Sequence, residues 1–260
     1  MNIDIFIPVH LNSKRLPKKH LQLINGKPVL QHLVERLTLC KEIRNIIVCC
    51  TTDPNDDELI NFLQTKNIKF FRGSEKDILQ RFLDAADQFS TDIIVDVEGD
   101  KIYTDPIYVD KIANFLKNSD LDFMIGNDSK TNFNASNHFV HGVVPAGFKK
   151  QALKKICKLK KTDDTETGYH EFFIKSKDTK SEFLVIDTDD FLNEIRLTLD
   201  YPEDLKLAEK VFKNLKNNFT KDELIKLFKD NSELTLITKG LRKKWELNYE
   251  KNRTDLTRLI

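Results

Sequence analysis

The sequence has almost no surplus of charge: 42 Lys and Arg face 41 Asp and Glu, a formal net charge of +1. No overall basic field draws it to nucleic acid, so an anion site has to come from a few placed residues. It also has no apolar run long enough to cross a bilayer. Its four cysteines, Cys40, Cys49, Cys50 and Cys157, show no CxxC spacing. Neighbours Cys49 and Cys50 point to opposite faces of a strand, which does not suit a metal clip. Buried free thiols and a reducing, cytoplasmic setting are the expectation. The opening MNIDIFIPV has no basic n-region and reads as an immediate strand rather than a signal peptide. A P-loop, an HExxH pair, a Ser-His-Asp spacing and a cysteine nucleophile are all missing. With 40% hydrophobic and 32% charged residues, the composition is that of an ordinary globular protein.

What is present is regular alternation. At 260 residues the chain can bury a substantial core and sits near the size where one domain ends and two begin. The runs IDIFIPV, NIIVCC, IKFFR and DIIVDV read as strands. Between them, PVLQHLVERLTL, the acid-led DDELINFLQTKN and DILQRFLDAADQF read as helices. This order predicts an α/β fold: a mostly parallel, Rossmann-like sheet covered by helices on both faces. Beyond residue 120 the pattern loosens. LDFMIGN reads as a strand, HFVHGVVPAGF as a strand pair, KKQALKKICKL as a helix and KKTDDTETGYHEFF as a polar loop. FLVID and IRLTLD read as strands and YPEDLKLAEKVFKNL as a helix. Thr220 and Glu223 have capping-box spacing ahead of another helix. The tail is expected to be partly helical, with Trp245 and Tyr249 on one face. One domain over 1–260 is expected. Within it fall a nucleotide-binding half (1–118), an acceptor or dimerisation subregion (119–195), and a return strand with C-terminal helices (196–260).

In such sheets ligands bind beyond the carboxyl ends of the strands. The chemically suggestive residues fall there. The loop from His10 to Lys19 follows the first strand and holds Lys14, Arg15, Lys18 and Lys19 with a hydroxyl, Ser13. Those donors suit a triphosphate, although a basic run is also what a solvated loop looks like. Arg72 follows the third strand and Asp100 the fourth. Asp200 ends a later apolar run, where it either pairs with Asp100 to hold Mg²⁺ or opens the next helix. His32 reads as structural, and His10 is placed to touch phosphate. His141 and His170 are free to meet an acceptor.

These residues resemble the cytidylyltransferases that make CMP-activated acidic sugars, with SpsF-like spore-coat polysaccharide proteins closest in flavour. The resemblance rests on three ordered blocks: Ile7-Pro8-Val9-His10 through Lys19 with Asn25-Gly26-Lys27-Pro28, then Glu98-Gly99-Asp100, then Leu199-Asp200-Tyr201-Pro202-Glu203-Asp204. It implies a GT-A-like fold, often dimeric. It implies that Ser13, Arg15 and Lys19 meet the nucleotide phosphates, with Arg15 and Lys19 catalytic, and that Asp100 and Asp200 hold Mg²⁺. Arg72 and the backbone near Pro8 and Val9 would read the base. The acceptor, an acidic keto sugar in relatives, would meet the region of His141, Lys149, His170 and Glu171. Expected partners are therefore CTP and a sugar, with a homodimer and neither nucleic acid nor membrane.

Three positions depart from the pattern. His10 stands for a usual arginine, Ile102 for a proline, and Glu98 for a glutamine that commonly reads cytosine. A carboxylate accepts from cytosine N4, but equally from guanine N1 and N2. CTP is favoured and GTP stays open. A sugar-1-phosphate nucleotidyltransferase, a GT-A glycosyltransferase and a degenerate binding module are the competing readings.

Overall fold

The computed structural model of the chain describes residues 1–253. Nine strands form: β1 (Ile3–Pro8), β2 (Leu23–Ile24), β3 (Lys27–Pro28), β4 (Asn45–Thr51), β5 (Lys69–Gly73), β6 (Ile93–Asp96), β7 (Phe123–Asn127), β8 (Ala146–Lys149) and β9 (Ser181–Val185). The helices of the first half are α1 (Val29–Leu37), α2 (Asp57–Thr65), α3 (Ile78–Gln88) and α4 (Pro106–Asn118). The second half adds α5 (His138–Val143), α6 (Lys150–Leu159), α7 (His170–Lys175), α8 (Asp190–Asn193), α9 (Pro202–Asn214), α10 (Lys221–Asp230) and α11 (Leu241–Asn252).

Seven strands make one sheet in the order β5-β4-β1-β6-β8-β7-β9, while β2 and β3 form a separate small hairpin. The pairs β1–β4, β1–β6, β4–β5 and β7–β9 are parallel, and β8 runs against both of its neighbours. The sheet is thus mostly parallel and Rossmann-like, as the alternation predicts.

Successive strand residues enter opposite cores. Ile5, Ile7, Val48, Cys50 and Val95 join one cluster with residues of α1, α4, α9 and α10. Phe6, Ile47, Cys49 and Ile94 join the other, against α3, α6 and α7. Cys49 and Cys50 therefore lie on opposite faces, both buried and free, whereas Cys40 and Cys157 are only half-buried.

The second half corrects two expected strands. HFVHGVV is not half of a strand pair: residues His138–Val143 form α5, and only Ala146–Lys149 pairs into the sheet as β8. The β-branched residues suggested extension, but the Asn137 side chain caps a helix by accepting from Val140 N at 3.0 Å. IRLTLD forms no ladder either; it is a buried irregular run crossing towards Asp100. Its Leu199 N–H donates to Asp100 O at 3.1 Å, and its Asp200 N–H to Asp204 Oδ2 at 2.9 Å, which leaves no strand register. The end of the expected polar loop, from His170, is helical as α7. The Thr220–Glu223 capping box forms as expected. Trp245 and Tyr249 stack with ring centroids 4.8 Å apart on α11.

Candidate active site

The loop after β1 is tied down before any ligand arrives. Buried Asp56 accepts from Leu11 N–H at 2.7 Å, and also from the Thr51 N–H and hydroxyl at the end of β4. At the far end of the loop, Lys18 adopts φ 50°, a left-handed conformation uncommon for a residue with a side chain. The chain turns there into a short 3₁₀ segment, Lys19–Leu21. The turn delivers the Lys19 ammonium 2.8 Å from Asp100 Oδ2 and 3.3 Å from Asp200 Oδ1. Arg15 Nη2 lies 2.5 Å from the same Asp200 oxygen.

Asp100 and Asp200 come together although they are a hundred positions apart. Gly99 lets the first approach: a Cβ there would sit 2.4 Å from Val9 Cγ1 and 2.7 Å from His20 Cε1. Arg196 fixes the second, with Nη2 2.8 Å from Asp200 Oδ2 and Nε 2.9 Å from Asp204 Oδ1. Asp204 in turn accepts from the Asp200 and Tyr201 N–H groups, both at 2.9 Å. The Arg15 and Arg196 guanidinium groups lie 5.4 and 5.5 Å from the centre of the Tyr201 ring.

The charges polarise one another. Burial opposes the Lys19 ammonium, but Asp100 and then Asp200 hold its pKa above the ordinary range. Burial also opposes the Asp200 carboxylate, and Lys19, Arg15 and Arg196 more than offset this, so its pKa is lowered. Asp100 differs. Burial, with Asp200 and Glu98 nearby, pushes its carboxyl up despite Lys19. Its carboxylate is thus held less firmly ionised than that of Asp200.

Beyond this cluster the cleft opens to about 280 Å³. Glu98 forms an ion pair with buried Lys101. Burial alone would raise the Glu98 carboxyl, but Lys101 and His170 bring it down to about 2. His170 Nε2 is 2.7 Å from Asp96 Oδ2, which also accepts from the Tyr169 hydroxyl at 2.8 Å. His141 bonds to Asn134 O at 2.9 Å, and burial, then Lys101, lowers its pKa to about 4.

Pro8, Val9, His10, Arg15, Lys19, Glu98, Asp100, His141, His170 and Asp200 all line this one cleft. Four residues singled out in the sequence are not part of its lining. Ser13 shapes its own loop by accepting from Leu16 N–H. Arg72, inside β5, donates to Thr51 O, Asp53 O and Asp57 Oδ1, so its guanidinium braces the start of α2. Lys149 pairs in register with Ile93, the first residue of β6, at the sheet edge opposite the strand carboxyl ends. Its ammonium bonds to Ser119 O. Glu171 sits just behind the cleft, bonded to Lys175 and to the Tyr249 hydroxyl.

Residues 5–232 match the family model for cytidylyltransferases. The chain belongs to that family. It is 27% identical over 247 residues to an uncharacterised Methanocaldococcus jannaschii protein, covering 94% of this chain and 97% of the other. It is 31% identical over 120 residues to an 8-amino-3,8-dideoxy-manno-octulosonate cytidylyltransferase of Shewanella piezotolerans. That match spans 45% of this chain and 48% of the relative, about half of each. Among solved structures, a Leptospira borgpetersenii cytidylyltransferase superposes with a TM-score of 0.79 at 26% identity, covering 90% and 97% of the two chains. A CTP complex of CMP:2-keto-3-deoxy-manno-octonic acid synthetase superposes at 0.65 with 16% identity, covering 82% and 99%, a likeness of fold.

As a cytidylyltransferase the chain is a nucleotidyltransferase, a class that generally uses a divalent metal. The residues present fit one. Asp100 and Asp200 share a single ammonium, so their oxygens are close enough to share one cation. Asp100, with 21% of its side chain still open against 3% for Asp200, is the accessible one of the pair. Among the described residues no group of three or more His, Cys, Asp or Glu forms a cage. The pair Asp100 and Asp200 fits a divalent cation that takes one or two carboxylates and completes its shell with phosphates and water.

The sequence reading missed Arg196, which orients Asp200, and Arg81, which lines the cleft. Arg81 is 2% exposed, and its Nε and Nη1 atoms have no hydrogen-bond partner. A signal was available. Arg81 lies on the apolar stripe of α3, with Ile78, Phe82 and Ala85, where a cation is out of place. Among the described residues no helix is long and apolar enough to span a membrane.

Proposed function

We propose that this cytidylyltransferase transfers CMP from CTP to an acidic keto sugar and releases pyrophosphate. The observation that carries this reading is the Lys19 ammonium lying between Asp100 and Asp200, with Arg15 and Arg196 on Asp200. Cations and carboxylates alternate there at the carboxyl ends of the parallel strands. The names of the Shewanella relatives favour an octulosonate-type acceptor.

In this reading the triphosphate lies along the loop from His10 to Lys19. Arg15 and Lys19 turn from the carboxylates to the phosphates and balance charge on the leaving pyrophosphate. Mg²⁺ bound at Asp100 and Asp200 supplies charge neutralisation at the phosphates. Arg196 keeps Asp200 oriented and ionised. A sugar hydroxyl attacks the α-phosphorus in line and gives its proton to solvent, the bond to the bridging oxygen breaks, and pyrophosphate leaves with that electron pair. The backbone at Pro8 and Val9 meets the base, and the unpaired Nε and Nη1 of Arg81 find acceptors on the nucleotide. Glu98, held ionised by Lys101, accepts from cytosine N4. His141 and His170 face the acceptor. A homodimer formed through residues 119–195 and a cytoplasmic location belong to the same reading.

The test is the melting temperature with CTP, GTP, UTP and ATP, each with and without Mg²⁺. A nucleotide at about 100 times its dissociation constant should add about 2.7 kcal/mol of stability. A Mg²⁺-dependent shift with CTP is expected, and pyrophosphate release with candidate sugar acids follows it. A shift with GTP alone would make Glu98 a guanine reader and replace CMP by GMP. No shift with any nucleotide would sink the reading.

A further inference from the structure

Helix α11 lies beyond residue 232, where the match to the family model ends, yet it contributes to the cleft. Trp245, Asn248 and Tyr249 all line it. Their spacing of i, i+3 and i+4 puts them on one stripe of the helix. The stripe is not core packing in the usual sense: Leu241, at the first position, is the one buried residue of α11. The large inward side chains of this helix therefore face a cavity rather than a hydrophobic layer.

The stripe is held in place by polar and ring contacts. The indole of Trp245 stands edge-on to His138, with ring centroids 4.6 Å apart and an interplanar angle of 87°. His138 itself touches Arg196, the residue that orients Asp200. The Tyr249 hydroxyl donates to Glu171 Oε1 at 2.7 Å. That bond uses the hydroxyl proton and leaves the oxygen free to accept. These contacts run to α5 and α7, away from the loop that holds Arg15 and Lys19.

We infer that α11 is the acceptor-side wall of the active site, and that Trp245, Asn248 and Tyr249 determine which sugar is accepted. This rests on the CMP-transfer reading and adds the chemistry of the sugar. An aromatic surface takes the C–H face of a sugar ring, while a planar amide and a phenol oxygen take its hydroxyls. The fitting acceptor is a sugar acid that turns a C–H face to the indole and its hydroxyls to Asn248 and Tyr249. Trp245 and Tyr249 are specificity-determining rather than catalytic.

Trp245 is the chain's single tryptophan, so its emission reports on this wall alone. The full-length protein is titrated with Mg²⁺ and CTP, and then with 3-deoxy-manno-octulosonate or its 8-amino-8-deoxy form. Emission should stay nearly constant with nucleotide and change when the sugar is added. In Trp245→Ala, pyrophosphate release should show a KM for the sugar raised about tenfold or more, with KM for CTP within about twofold. Tyr249→Phe should raise the sugar KM by a smaller factor. An emission change complete with CTP alone would overturn the inference. So would an unchanged sugar KM in Trp245→Ala, or a CTP-induced melting shift with neither sugar giving emission change nor turnover. Absence of any CTP-induced shift would overturn the CMP-transfer reading itself, a separate outcome.

Discussion

Two buried arginines, Arg36 on α1 and Arg81 on α3, look alike in the sequence and serve different ends. Each sits on the inner face of its helix, and each is nearly inaccessible, at 0% and 2% exposure. Arg36 is satisfied. Its Nε, Nη1 and Nη2 donate to Thr104 O, Asn217 O and Phe219 O at 2.7, 2.7 and 2.6 Å. Its guanidinium also lies 3.8 Å from the centre of the Phe219 ring. It clamps α1 to the segment between α9 and α10. Arg81 leaves its Nε and Nη1 unpaired beside the cleft. A buried cation without partners is costly, and in the proposed reading the nucleotide completes it. The difference between a structural and a binding cation lies in the hydrogen-bond inventory and not in burial.

The largest expected effect lies wholly on the cleft side of this comparison. Asp100→Asn keeps the shape of the side chain and removes the charge that pairs with Lys19 and that, in the proposed reading, holds a divalent metal. Turnover should fall about a thousandfold, roughly 4 kcal/mol in the barrier, with the fold intact by circular dichroism. Full turnover would remove Asp100 from the metal site. The next effect belongs to the clamp. Arg36→Met strands three backbone carbonyls and should cost about 3 kcal/mol of stability, lowering Tm by roughly 8 °C. Urea denaturation measures it, and KM for CTP should barely move. A fall in nucleotide affinity with unchanged stability would erase the contrast between the two arginines.

Arg81→Met reverses that pattern. Removing an uncompensated buried cation should leave Tm unchanged or higher, while KM for CTP rises about tenfold. Differential scanning fluorimetry and pyrophosphate release read the two quantities separately. A large loss of stability with normal KM would make Arg81 a second clamp whose partners are simply longer-range.

The contrast also explains how far the sequence could be read. The first half was legible because its strands are buried on both faces and its helices carry apolar stripes, so period alone gave β1, β4, β5, β6 and their crossovers. Residues at the strand ends followed from topology, and His10, Arg15, Lys19 and Asp100 indeed meet there. The run 195–200 shows where reading stopped. Its alternation is real in its sidedness: Ile195, Leu197 and Leu199 enter the core, while Thr198 and Asp200 line the cleft. Alternation implied a strand, but the backbone donates to Asp100 O and to a carboxylate instead of a neighbouring strand. Periodicity tells which way side chains point and not what the backbone bonds to. Arg72 and Lys149 lie outside the cleft lining for a related reason. A strand-end cation is as easily satisfied by nearby carbonyls as by a ligand, and local pattern does not tell the two apart.

The smallest expected effect tests whether cleft groups, unlike the clamp, sit at the expense of stability. His141 lines the cleft, and its pKa is lowered to about 4 by burial first and by Lys101 second. The unfolded chain has it near 6.5, so between about pH 6.5 and 4 the unfolded state binds the extra proton. Its contribution is therefore fully present above about pH 6.5 and is lost as pH falls through that window, with a slope of at most about 1.4 kcal/mol per unit. His138 and His20 are lowered in the same direction by burial, so acid destabilisation of the wild type is the sum of several such groups. His141→Gln keeps a donor for Asn134 O and cannot titrate. It should flatten the loss of urea stability between about pH 6.5 and 5 by about 1 kcal/mol and leave the neutral value nearly unchanged. An unaltered pH slope would mean that His141 binds its proton equally well in the folded and unfolded chain, with the Glu98 carboxylate offsetting burial.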